Sequence, residues 1–180
     1  TFLDAGENPP RGAIVTYRLA EEPAEPITLS FTNANGDVIR ELSSRKPDDE
    51  ATAKERRVPA KAGWNRFVWD LRHAPVTKIE GDDPPAKEPL PGPIVAPGAY
   101  TVTLKAGDTE LTQALTVVKP AGVQASQADL DAQYDVLLRI HRQLDRTTTA
   151  INRMRDLRKQ LDAWAKRAEA SDSAKEPAES

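Results

Sequence analysis

Two alternating stretches constrain this chain more than any other feature. The first is Gly63-Trp64-Asn65-Arg66-Phe67-Val68-Trp69-Asp70-Leu71-Arg72, the second Ala96-Pro97-Gly98-Ala99-Tyr100-Thr101-Val102-Thr103-Leu104. Successive side chains of a strand point to opposite faces, so Phe67, Trp69 and Leu71 share one face of the first, and Tyr100, Val102 and Leu104 one face of the second. Two such strands joined by a proline-rich loop predict the middle of a small antiparallel β-sandwich. That assigns the large aromatics of the region to a core.

Proline divides the rest. Fourteen of the 15 prolines precede residue 121, and none lies between 126 and 168. The expected organisation is an immunoglobulin-like β-sandwich over 1–120, a long amphipathic helix over 121–168 and a disordered tail over 169–180. Within the first part, Ala13–Leu19 predicts a strand with Val15, Tyr17 and Leu19 on one face. Pro26–Thr32 follows with Ile27, Leu29 and Phe31 inward. Asn35-Gly36 supplies a hairpin turn, and Asp37–Leu42 returns. Residues 43–57 are dense in charge and read as a solvated loop. The prolines of 73–96 cannot donate to a central ladder, which predicts a long extended loop there. Tyr100–Ala106 then turns at Gly107-Asp108 into Leu111–Val118. The count is six or seven strands.

In the helix, Ser126 is the expected N-cap, with Asp129 three residues later as its acidic partner near the positive end of the dipole. An apolar stripe runs Leu130, Tyr134, Leu137, Leu144, Ile151, Met154, Leu157, Leu161 and Trp164, with His141 and Thr148 in its weak positions. A narrow stripe on a lone helix is not self-sufficient. No second helical pattern remains in the chain, so the expected partner is a helix outside this sequence or in another copy, as one half of a helical hairpin or coiled coil.

Composition removes several functions. With 25 basic and 28 acidic residues the formal net charge is −3, lacking the excess that a phosphate backbone requires, and no nucleic-acid partner is expected. The chain contains no cysteine, so disulfides, zinc thiolates and thiol catalysis are excluded. No run approaches a membrane span and no signal-peptide pattern is visible. Beginning at Thr1 rather than Met, the chain reads as an excised fragment.

Candidate chemistry is sparse. Asp70 could be a catalytic carboxylate, but a glycosidase needs two across a cleft, and an Asp at a strand end ordinarily bonds local backbone. Asp48-Asp49-Glu50 and Glu80-Gly81-Asp82-Asp83 lack the alternating oxygen ligands of a calcium loop. His73 and His141 cannot be assembled into a metal or nucleophile set. No catalytic residue, metal site or cofactor is therefore expected. Trp64 is the ligand candidate: out of phase with Phe67 and Trp69, it faces away from the core, where it could stack on a sugar ring or cover a domain interface. The helix arginines alternate with aspartates and read as a solvated face.

Taken together, Gly6-Glu7-Asn8-Pro9-Pro10, the Trp64–Arg72 strand, Gly92-Pro93 and Ala96-Pro97-Gly98-Ala99-Tyr100-Thr101-Val102 resemble the C-terminal region of bacterial secreted BNR-repeat, sortilin-like β-propeller proteins labelled glycosyl hydrolases. There a sandwich like the immunoglobulin-like domain of the flagellar hook-capping protein follows the propeller. The helix start around Gln133 and Ile151-Asn152-Arg153-Met154-Arg155-Asp156-Leu157-Arg158 are similar to the helical segment that comes next. Relatives tend to carry an Asp-Pro-Arg-like link where this chain has Lys119-Pro120-Ala121-Gly122, and they continue into a returning helix, which suggests truncation near Ser180. No Asp-box motif occurs here.

The resemblance implies a secreted, periplasmic or cell-surface accessory unit without catalysis of its own. Its implied partners are the parent's propeller and another helix. Two rivals are a carbohydrate-binding module using Trp64, and the C-terminal part of an active glycosidase whose site lies in the missing propeller.

Overall fold

A computed structural model describes residues 8, 10–45, 57–80 and 90–173, with side chains as far as 169. Six strands and one helix make up the described chain: β1 (Ala13–Leu19), β2 (Thr28–Asn33), β3 (Val38–Ser43), β4 (Gly63–Trp69), β5 (Gly98–Ala106), β6 (Thr109–Val117) and α1 (Gln127–Ser173). β1 and β4 form one antiparallel sheet; β3-β2-β5-β6 form a second, in that order. The architecture is an antiparallel β-sandwich followed by a long C-terminal helix.

The alternation seen in the sequence becomes the core. Ile27, Leu29 and Phe31 are fully buried, as are Tyr17, Phe67, Trp69, Tyr100 and Val102 within a few per cent. Registers such as Phe31↔Val102 in the larger sheet and Val15↔Phe67 in the smaller bring these residues onto the inner faces. Trp69 stacks on Phe31 and meets Tyr100 edge-on, 6.2 Å between centroids.

The β2–β3 hairpin turns where the sequence places it. Gly36 takes φ +85°, and the Asn33 side-chain oxygen accepts the backbone N–H groups of Asn35 and Asp37. Asn65, the one buried polar side chain among the described residues, is fully used. Its oxygen accepts the Lys61 N–H, and its amide donates to the Lys61 and Gly63 carbonyls.

Leu71 departs from expectation. β4 ends at Trp69, and Leu71 sits at φ +61°, off the strand, although it still packs against the core. The turn lets the Trp69 indole N–H reach the Arg72 carbonyl at 3.0 Å, while Asp70 accepts the Arg72 N–H. A buried indole nitrogen needs that partner, so satisfying it outweighs continuing the alternation. Residues 71–73 then pair with 93–95: Val95 N–H donates to the Leu71 carbonyl and His73 N–H to the Pro93 carbonyl. Gly92 is required by this crossing, since a Cβ there would come within 2.4 Å of the His73 carbonyl oxygen.

On β6, Leu115 and Val117 pack against the core, while Leu111 near its start is 61% exposed. The helix also runs on to Ser173, where a tail had been expected from 169. Ala168, Glu169 and Ala170 favour helix, and no proline intervenes before Pro177. The remaining tail, most of the 6–10 motif, Asp48-Asp49-Glu50 and Gly81-Asp82-Asp83 lie outside the described residues.

The chain divides into two compact units, Thr1–Ala74 with Pro91–Leu137, and Pro75–Leu90 with Leu138–Ser180. The β-strands and the first turns of α1 belong to the first. The start of the proline-rich loop and most of α1 make the second.

Candidate interaction surface

The helix begins as its sequence dictates. Ser126 Oγ accepts the Asp129 N–H, and Asp129 accepts from both the Ser126 N–H and its hydroxyl. That reciprocal pair closes two orphan groups of the first turn and holds the Asp129 carboxyl below its usual range. In the first unit, Gln127 donates to the Pro97 carbonyl, and the Tyr134 hydroxyl lies 2.6 Å from His73 Nε2. Leu130 and Tyr134, expected in a helix interface, are half-buried here, and Tyr134 meets the turn that follows β4.

In the second unit the helix presents two distinct faces. The first is polar: His141, Asp145, Thr148, Asn152 and Arg155 recur at spacings of four and three, and all are half-buried. This seam holds the segment 77–80. Asp145 accepts both the backbone N–H and the hydroxyl of Thr77, at 2.8 and 2.7 Å. Asn152 reads the backbone twice, accepting the Glu80 N–H and donating to the Lys78 carbonyl. Arg155 donates to the Glu80 carbonyl, and Lys159 lies 3.9 Å from the Glu80 carboxylate.

The spacing explains the fit. Seven helical residues, Asp145 to Asn152, rise about 10.5 Å. Three residues of extended chain, Thr77 to Glu80, cover about 10 Å. Most of these contacts are to backbone, so the seam recognises an extended conformation more than a sequence. The two Thr77 bonds lower the Asp145 carboxyl below its usual range, with the nearby His141 adding to the effect.

The second face is apolar and open. Ile140, Leu144, Met154, Leu157, Leu161 and Trp164 are between 39% and 64% exposed, while Ile151 is half-buried. Leu137, at the end of the first unit, is 42% exposed. The sequence placed these residues on one stripe, Ile140 excepted; what it missed is the polar seam beside them. The signal was present in the four-and-three spacing of Asp145, Thr148, Asn152 and Arg155, which reads as solvated surface when only apolar periodicity is sought.

Elsewhere, Trp64 on β4 is 74% exposed, facing away from Phe67 and Trp69 as its phase requires. The other described aromatics of the strands, Tyr17, Phe31, Phe67, Trp69 and Tyr100, are buried. Asp70 bonds local backbone. His73 and His141 are on separate units, and no group of three or more His, Cys, Asp or Glu that could hold a metal ion occurs among the described residues. No described helix is long and apolar enough to cross a membrane.

No family model, curated protein or solved structure matches this chain.

Proposed function

We propose that this chain is a non-catalytic accessory module of a larger secreted bacterial protein. In this reading its immunoglobulin-like sandwich docks on a neighbouring β-propeller domain, and its helix serves assembly by packing against another helix. The observation that carries the reading is the open stripe from Leu144 to Trp164. Burying one Leu or Ile contributes about 1.5–3 kcal/mol, against a total stability of about 5–15 kcal/mol for a typical domain. A stripe of this length left wet forfeits a large part of that. The segment 77–80 does not relieve it, because it occupies the polar seam instead. The parent and its extracellular setting are taken from the resemblance of the Gly63–Arg72 and Ala96–Val102 stretches to the C-terminal regions of sortilin-like propeller proteins.

Leu144→Asp with Ile151→Asp tests the assembly role. Both substitutions should lower particle mass by light scattering and reduce helicity, while the β-sheet circular dichroism stays. Unchanged mass and helicity would reduce the helix to a spacer. The non-catalytic part is tested by a broad panel of glycosides, esters and peptides, on which no turnover is expected.

Trp64 supports a second reading, a carbohydrate-binding module. Its indole is open for stacking, but no second described aromatic of the strands joins it in a platform. Titration with oligosaccharides, followed by tryptophan fluorescence in wild type and Trp64→Ala, separates the two readings.

A further inference from the structure

The open helix face has an internal symmetry that points to its occupant. From Ile140 to Ala165, one seam runs Ile140, Leu144, Thr147, Ile151, Met154, Arg158, Leu161, Ala165, alternating steps of four and three as a two-stranded coiled coil requires. Only Thr147 and Arg158 interrupt it with polar groups. They lie symmetrically about the midpoint between Ile151 and Met154.

We propose that two copies of this chain pair through this seam as an antiparallel coiled coil, with the two-fold axis between Ile151 and Met154. The proposal rests on the assembly reading above and names its partner. Reversing the helix about that point places Leu144 against the partner's Leu161, Ile151 against the partner's Met154, and Ile140 against the partner's Ala165. Thr147 then meets the partner's Arg158, so polar is matched with polar and every other layer is apolar.

Competing arrangements do worse. Sliding one heptad in either direction sets Arg158 against Ile140 or Met154, a charge buried against hydrocarbon. A parallel pair in register sets Arg158 against its own copy, two like charges in one layer. In the favoured register a flanking position also agrees: Ala150 lies opposite the partner's Leu157, small against large. The segment 77–80 sits on the neighbouring polar seam and leaves Leu144, Met154 and Leu161 exposed.

The absence of native cysteine makes cross-linking the direct test. In the antiparallel register, Leu144→Cys with Leu161→Cys forms a disulfide-linked dimer under mild oxidation. Within one chain these positions are about 26 Å apart along the helix, far beyond the ~7 Å that a disulfide spans. Leu144→Cys alone should then give no dimer, whereas a parallel pair would cross-link through that single position. Expected are a two-chain mass for the wild type by light scattering, cross-linking of the double variant only, and a one-chain mass for Leu144→Asp. A two-chain mass with cross-linking at Leu144→Cys alone overturns the antiparallel register and leaves the assembly reading standing. A one-chain wild-type mass overturns self-pairing. If Leu144→Asp with Ile151→Asp then also leaves helicity unchanged, the assembly reading falls with it.

Discussion

The rings of Phe31 and Trp69 stack nearly parallel, 18° apart in plane with centroids separated by 4.3 Å. One belongs to the four-stranded sheet and the other to the two-stranded sheet, so this contact joins the two layers of the sandwich. Both residues are essentially inaccessible, and the Trp69 indole N–H has its acceptor on Arg72. Trp69→Ala should destabilise the sandwich by about 3–5 kcal/mol, as large aromatic truncations in cores do. Phe31→Leu, which keeps part of the volume, should cost less. Denaturant unfolding followed by tryptophan-independent far-ultraviolet circular dichroism measures both, and a cost below about 1 kcal/mol for Trp69→Ala would contradict this packing.

Alkali should unfold the sandwich through its tyrosines. The Tyr17 hydroxyl donates to the Pro59 carbonyl, and burial pushes its pKa up to about 12. Tyr100 donates to the Ala96 carbonyl at 2.6 Å and is also raised, by burial and then by the Asp131 carboxylate. A group whose folded pKa lies above its unfolded value holds its full contribution below the unfolded pKa, near 10, and loses it as pH rises through the folded value. The tyrosines' contribution should therefore be constant below pH 10 and fall between pH 10 and 12. Tyr17→Phe should flatten that fall while losing one hydrogen bond, worth about 1 kcal/mol. Thermal melting across that range would show it.

The strands were legible because their residues obey one rule at a time. Ile27, Leu29 and Phe31 alternate cleanly, and all are buried; Asn35-Gly36 announces its turn. Leu71 was misread because alternation says nothing of the indole nitrogen two residues before it, whose need for an acceptor bends the chain. The helix cap at Ser126 and Asp129 was legible from type and spacing alone. The seam of Asp145 and Asn152 was not, because its partners are backbone groups of Thr77, Lys78 and Glu80, and a backbone leaves no mark on composition. The open stripe was visible in sequence, because apolar side chains at steps of three and four do mark composition.

Asn65 should be intolerant of change. Its side chain makes three hydrogen bonds to the backbone of residues 61 and 63 at the entrance to β4. Asn65→Ala leaves the Lys61 N–H and carbonyl without those partners, and a buried unsatisfied group costs about 1–3 kcal/mol. Asn65→Asp should be no better, since it sets a carboxylate against two carbonyl oxygens. Urea midpoints should drop for both with little change in slope, and a wild-type midpoint in either would show that the cradle is dispensable.

The segment 77–80 should come off the helix in acid, and it should do so before the sandwich unfolds. Its first anchor is the Asp145 carboxylate, held below its ordinary pKa chiefly by the Thr77 hydroxyl and N–H. For a depressed carboxylate the contribution is present above the unfolded pKa, near 3.8, and is lost as pH falls through the lower folded value. The second anchor, Asn152, does not titrate, so acid alone should loosen Thr77 more than Glu80. Hydrogen exchange separates the two. Thr77→Val should raise the Asp145 pKa, and Asn152→Ala should speed exchange at the Glu80 amide by roughly tenfold, the equivalent of about 1.4 kcal/mol in local opening. Amide protection of β2 and β5 should not change in either variant. Equal loss of protection at Thr77 and in the strands on acidification would mean that the segment has no stability of its own.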